Sequence, residues 1–194
     1  MFKSKSIRIL SLLLSVVLMS GLISGCGGTA EVPEAPETQT PSSGGEGADF
    51  ETLSMDIFSQ HRLTMVNCFA TWCGPCVKEI PELDQLKKDF ADRDVNVIGV
   101  VLDARSPASA DDTEGILNEN ALSQAALIRE KTGIEYSFYI PQLSLFEGRF
   151  ISINAVPHTF FVNSSGEIVG DSYDGARSLE AWSEIVENQL AALD

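Results

Sequence analysis

Two cysteines three residues apart, Cys73 and Cys76 in the run WCGPC (Trp72 to Cys76), are the residues of this chain best suited to covalent chemistry. A pair at that spacing closes a small disulfide ring without unwinding a helix that starts at the pair. There the backbone N–H groups and the positive end of the helix dipole stabilise a thiolate on the first cysteine. Cys73 is therefore expected to be the exposed nucleophile and Cys76 the shielded resolver. Gly74 and Pro75 shape the turn, and a proline early in a helix sacrifices no hydrogen bond. Cys68, five residues before Cys73, makes three thiols within nine residues, one more than dithiol chemistry needs.

The elements around the pair assign that third thiol. Leu63 to Ala70 and Val95 to Leu102 are nearly continuous apolar runs of strand length, as in strands buried on both faces. Between them Val77, Ile80, Leu83, Leu86 and Phe90 make a helical stripe over Cys73 to Phe90, so strand, helix and strand read as a right-handed parallel crossover. On the first strand Cys68 shares a face with Val66, opposite Asn67 and Phe69. The chain from Cys68 to Cys73 spans up to about 16 Å if extended, against roughly 5.5 Å between Cα atoms in a disulfide. Cys68 is thus expected to be a buried free thiol that behaves as a small hydrophobe.

Further on, Thr159 to Val162, a turn at Asn163 to Gly166, and Glu167 to Tyr173 read as an antiparallel hairpin. Leu179, Trp182, Val186, Leu190 and Leu193 lie on one face of a last helix. In the longer stretch from Asp103 to Val156, a helix is expected over Asp111 to Lys131, stopped by Thr132-Gly133, with a further strand within Tyr136 to Ile140. The whole is an α/β chain with a mixed sheet covered by helices.

The run from Thr71 to Pro81, TWCGPCVKEIP, resembles the thioredoxin superfamily and within it the exported, membrane-tethered TlpA/ResA-like branch. The resemblance covers about residues 50–194 and implies a thioredoxin fold: a mixed central sheet flanked by helices, with an insertion after the second core strand that matches Asp103 to Ile140. It implies that Pro81 kinks the active-site helix and that Trp72, Gly74 and Pro75 support the site. It further implies that Pro157, in VPHTFFV, is cis and faces the cysteines, leaving the backbone of Val156 to pair with a substrate chain beside Cys73. Asn67 stands where thioredoxin itself carries a buried acid. Glu79, three after Cys76, is then the candidate for tuning the resolving thiol, its alternative being an ordinary exposed helix carboxylate. His158 follows the expected cis proline where the family usually has a small or hydroxylic residue; it either modulates the pH response or is a tolerated substitution. The stretch before Leu63 is shorter than the family's N-terminal hairpin.

The chain has 194 residues, 44% hydrophobic, enough for one cored domain besides a targeting segment. Lys3, Lys5 and Arg8 precede an uncharged apolar run from Ile9 to Ile23, which suits a signal peptide better than a membrane span. It ends in ISGC, Ile23 to Cys26, which looks like a bacterial lipobox, so Cys26 is the expected lipidation site; a single membrane anchor is the alternative. The expected layout is a signal over residues 1–25, the lipidated cysteine and a flexible linker over 26–49, and the thioredoxin-like domain over 50–194. The 23 residues from Gly27 to Asp49 are rich in Gly, Pro, Glu, Ser and Thr, a tether with a reach of about 25 Å. Loss of residues 1–25 takes the formal charge from −15 to −18, which makes nucleic acid an improbable partner. Solubility explains that charge, with a basic docking partner the alternative.

These readings favour an extracytoplasmic, lipid-anchored, monomeric thiol-disulfide oxidoreductase without cofactor or metal. The resemblance implies a reductant of exported protein disulfides, re-reduced by a membrane thiol carrier. Its clients would be apocytochrome c or another exported protein such as a methionine sulfoxide reductase. Three rival readings have less support. A Cu(I) metallochaperone would use Cys73, Cys76 and His158, but the family's copper chaperones resemble CxxxC with a differently placed histidine. A peroxidase would need a hydroxylic residue where Ala70 stands. A pure binding module would not need the intact cysteine pair.

Overall fold

The computed structural model describes residues 50–109 and 112–194. The expected signal segment, Cys26 and the linker lie outside the described residues. Leu63–Phe69 forms β1 and Val95–Val101 forms β2, paired in parallel from Leu63 opposite Val95 to Phe69 opposite Val101. Every residue of both strands is buried, as their nearly continuous apolar character requires. Gly74–Asp89 forms the connecting helix α1, with Pro81 inside it.

After β2 the chain makes a short 3₁₀ turn at Leu102–Ala104 and a two-residue ribbon, β3 (Arg105–Ser106) against β4 (Ile116–Leu117). The helix α2 follows over Glu119–Thr132. This corrects the expected start at Asp111. Asn118 caps α2 by accepting from the Ala121 N–H at 3.3 Å, and Gly115, at φ +71°, takes a left-handed conformation incompatible with a continuing helix. Asp112 instead accepts N–H groups from Ala108, Glu114 and Gly115 and so holds a loop. Gly133 ends α2 in the left-handed conformation, as expected.

The further strand β5 is only Phe138–Tyr139, parallel to β2, with a bridge from Ile140 to Thr52 beyond it. That bridge and a 3₁₀ turn at Met55–Gln60 stand where the family's hairpin would lie. A turn at Leu145–Gly148, with Phe146 and Glu147 in the left-handed region, leads into one helical turn, α3, at Arg149–Ser152. The antiparallel hairpin is β6 (His158–Asn163) and β7 (Ile168–Asp174), turned by Asn163, whose Oδ1 accepts from the N–H of Ser165 and Glu167. The last helix, α4, is Leu179–Ala192, capped by Ser178.

The sheet order is β5-β2-β1-β6-β7, with β5, β2 and β1 parallel, β6 antiparallel to β1 and β7 antiparallel to β6. This is the expected thioredoxin-like fold. All three long helices contribute to the core on one face, where Ile80, Leu83, Leu122, Trp182, Val186 and Leu190 meet Met65 and Phe69. The other face, Val66, Cys68, Ile98, Val100 and Phe160, is covered by the 3₁₀ turn carrying Phe58 and by Phe150 of α3. A Cβ on Gly99 would stand 2.6 Å from the Phe138 ring, so glycine there lets that ring lie against β2 and Phe69.

Candidate active site

β1 ends at Phe69, and after three intervening residues Cys73 opens α1 as its N-cap, in extended conformation. The turn is closed by the Cys73 N–H donating to the Ala70 carbonyl at 3.0 Å. Cys73 and Cys76 are joined in a disulfide, with Cα atoms 5.3 Å apart. The Cys76 N–H points at Cys73 Sγ from 3.3 Å, the contact that would stabilise a thiolate there after reduction. Cys73 is the more accessible of the two, as expected, but at 5% against 1% exposure neither sulfur is widely open in this oxidised state. Trp72 beside it is 75% exposed.

The segment before β6 completes the site. The Val156–Pro157 bond is cis, as the resemblance implies, and Val156 presents its carbonyl oxygen 3.8 Å from Cys73 Sγ. With the thiol oxidised no hydrogen bond exists across that gap. The Pro157 carbonyl accepts the Gly175 N–H at 2.9 Å, which fastens the segment to the end of β7.

Glu79 is buried, not an exposed helix carboxylate. Its Oε1 accepts from Trp182 Nε1 at 2.6 Å and from the Arg177 N–H at 2.8 Å, and its Oε2 faces Asn67 Nδ2 at 3.4 Å. Asn67 also donates to Thr159 Oγ1 at 3.0 Å. Burial holds the Glu79 carboxyl above the usual carboxylate range, outweighing the donors that favour its charged form. A proton-binding carboxyl thus sits one helical turn after Cys76. Sequence reasoning found Glu79 but missed its partners, since Trp182 and Arg177 are about a hundred residues away and signal only as core and surface types.

His158 and Cys68 are direct cross-strand partners on the sheet face opposite α1, and burial pushes the free Cys68 thiol well up. The His158 Nδ1–H donates to Asp174 Oδ1 at 2.7 Å, and the ring lies near Phe160. The placement therefore separates His158 from the Cys73–Cys76 pair and gives no support to a Cu(I) site built from all three. Among the described residues no three His, Cys, Asp or Glu side chains converge as metal ligands. Nor is any helix among them long and apolar enough to cross a membrane.

The sequence model of the AhpC/TSA family matches residues 33–171. The thioredoxin-like protein YneN of Bacillus subtilis is 29% identical over 66 residues, covering 34% of this chain and 35% of that protein. The thiol-disulfide oxidoreductase ResA of Oceanobacillus iheyensis is 28% identical over 104 residues, 54% of this chain and 45% of the relative. The chain thus spans less than half the length of either curated relative. Among solved structures, a thiol:disulfide interchange protein of the thioredoxin family from Chlorobium tepidum is similar with a TM-score of 0.51 at 22% identity, covering 76% of this chain and 99% of that one. That likeness shows the shared fold. With its family pattern matched over most of its length around a CxxC pair in a thioredoxin-like fold, the chain belongs to the AhpC/TSA family.

Proposed function

We propose that this chain is an extracytoplasmic, lipid-anchored thiol-disulfide oxidoreductase that reduces disulfides of exported proteins. The observation that carries the reading is the Cys73–Cys76 disulfide at the start of α1, beside the Val156 carbonyl. In the reduced protein the Cys73 thiolate attacks a client disulfide. A Cys73–client bond forms and one client sulfur leaves as a thiolate that takes up a proton. The Cys76 sulfur, losing its proton, then attacks Cys73 Sγ and releases the second client thiol. Two electrons pass to the client, and the internal disulfide awaits a dithiol carrier in the membrane. Glu79 is the group suited to accept the Cys76 proton in the second step and to return it on re-reduction. Apocytochrome c and a methionine sulfoxide reductase are both clients of the right chemistry.

A peroxidase reading has less support. Ala70 offers no hydroxyl, and Thr71 Oγ1 is engaged with Asp103 at 2.6 Å. The test is the equilibrium reduction potential of the purified protein against glutathione. A value well below that of the glutathione pool is expected, and a strongly oxidising value overturns the direction assigned.

A further inference from the structure

The insertion after β2 reaches the redox site through Asp103. The ladder between β1 and β2 stops at Phe69 opposite Val101, so the loop that carries Thr71 and Trp72 to Cys73 leaves the sheet without a strand partner. A side chain takes over there. The Asp103 carboxylate accepts the Thr71 N–H at 3.1 Å to both oxygens and the Thr71 Oγ1–H at 2.6 Å. Asp103 is itself held, because its 3₁₀ turn is tied to the start of α2 by the Asn118 N–H donating to the Ala104 carbonyl at 2.9 Å.

Next to this clamp the exposed Trp72 lines two hollows, and Asp103 lines both as well. One hollow, of roughly 370 Å³, is walled by Leu102, Phe150, Ile151 and Val156, the residue whose carbonyl lies beside Cys73. The other is walled by Thr71, Asn118, Asn120 and Gln124. A protein client bonded to Cys73 has to cover Trp72 and fit its neighbouring residues against these walls. A small disulfide needs only the sulfur.

We infer that Asp103 is a positioning residue: by clamping Thr71 it fixes Trp72 and the two hollows in register with Cys73, and so governs exchange with protein disulfides far more than with small ones. The inference rests on the oxidoreductase reading. Charge-assisted bonds to a carboxylate are the strong class of hydrogen bond, and small misplacements of reacting groups carry large rate penalties.

The experiment compares the reduced full chain and its variants on insulin and on bis(hydroxyethyl) disulfide. Asp103→Ala should lose about tenfold in rate on insulin but less than about twofold on the small disulfide. Asp103→Asn, whose amide oxygen at the Oδ2 position can still accept both hydrogens but without the charge, should recover part of the insulin rate. Should Asp103→Ala fail to fold, Thr71→Ala removes only the hydroxyl bond, and about a threefold loss confined to insulin is expected from it. Insulin rates within about twofold of wild type in the folded variant, or equal proportional losses on both disulfides, overturn the assignment. A wild-type chain that reduces neither substrate overturns instead the oxidoreductase reading, and the inference built on it.

Discussion

At the scale of single residues the chemistry turns on which ionisable groups are buried and what they bind. Glu79 carries the clearest consequence. Its carboxyl titrates above the usual range in the folded protein, so the stability it lends is full below its ordinary value of about 4.3 and is lost as the pH rises through the folded value. Gln keeps an oxygen for Trp182 Nε1 and the Arg177 N–H but has no proton to lose. Glu79→Gln should therefore match wild type in thermal midpoint near pH ~4 and exceed it increasingly at higher pH, while slowing resolution of the mixed disulfide. Melting curves across pH, with thiol titrations of the same variant, check both halves; an unchanged Cys76 titration removes Glu79 from the proton path. Cys68 behaves oppositely. It is fully buried with its thiol pushed far up, so it supplies no thiolate. Cys68→Ala should keep near-normal turnover and lose about 1 kcal/mol of stability through a small cavity, measurable by denaturant titration.

At the scale of elements, one carboxylate ties α1 to the chain that returns after α2. Asp84 accepts the N–H of Glu135 at 2.8 Å and of Tyr136 at 3.2 Å and pairs with Lys88 at 2.8 Å. Burial alone would raise its carboxyl, but Lys88 and the two N–H groups prevail and hold it below the usual range. A depressed acid contributes stability above its unfolded value and loses it as the pH falls through the folded one. Asp84→Ala should thus cost about 1–3 kcal/mol at neutral pH, from two N–H groups left without an acceptor. Urea titrations should find the gap to wild type narrowing below about pH 4. The long strands β1, β2 and β6 with α1 and α4 were legible because apolar runs and helical stripes report burial directly, whereas the largely exposed two-residue ribbon β3–β4 gave no such signal. Asp84 and Glu79 were not legible as buried, because a charged residue beside a stripe reads as solvated until its distant partners are known. The start of α2 was missed because the acids from Asp111 onward resemble a first helical turn, whereas Asp112 closes a loop and Asn118 makes the cap.

At the scale of the whole molecule, the fold and the cysteine pair followed from short-range pattern, since β1, the CxxC and α1 are consecutive in the chain. The Val156–Pro157 segment was legible through the family resemblance, but Thr159, Arg177, Trp182 and Asp103 were not legible as site residues, because they meet the site only through the sheet order and the β6–β7 return. The proposed lipid anchor makes its own prediction. Cys26→Ala should release or misprocess the protein, and globomycin should leave a larger precursor on a gel; a variant that stays in the membrane fraction at normal size contradicts lipidation. The two-cysteine mechanism is most directly tested by trapping. Cys76→Ala, mixed with a disulfide-bearing client and mapped by mass spectrometry, is predicted to hold the client through Cys73, with Cys68 unmodified. An adduct on Cys68, or turnover by the variant at the wild-type rate, would contradict the account.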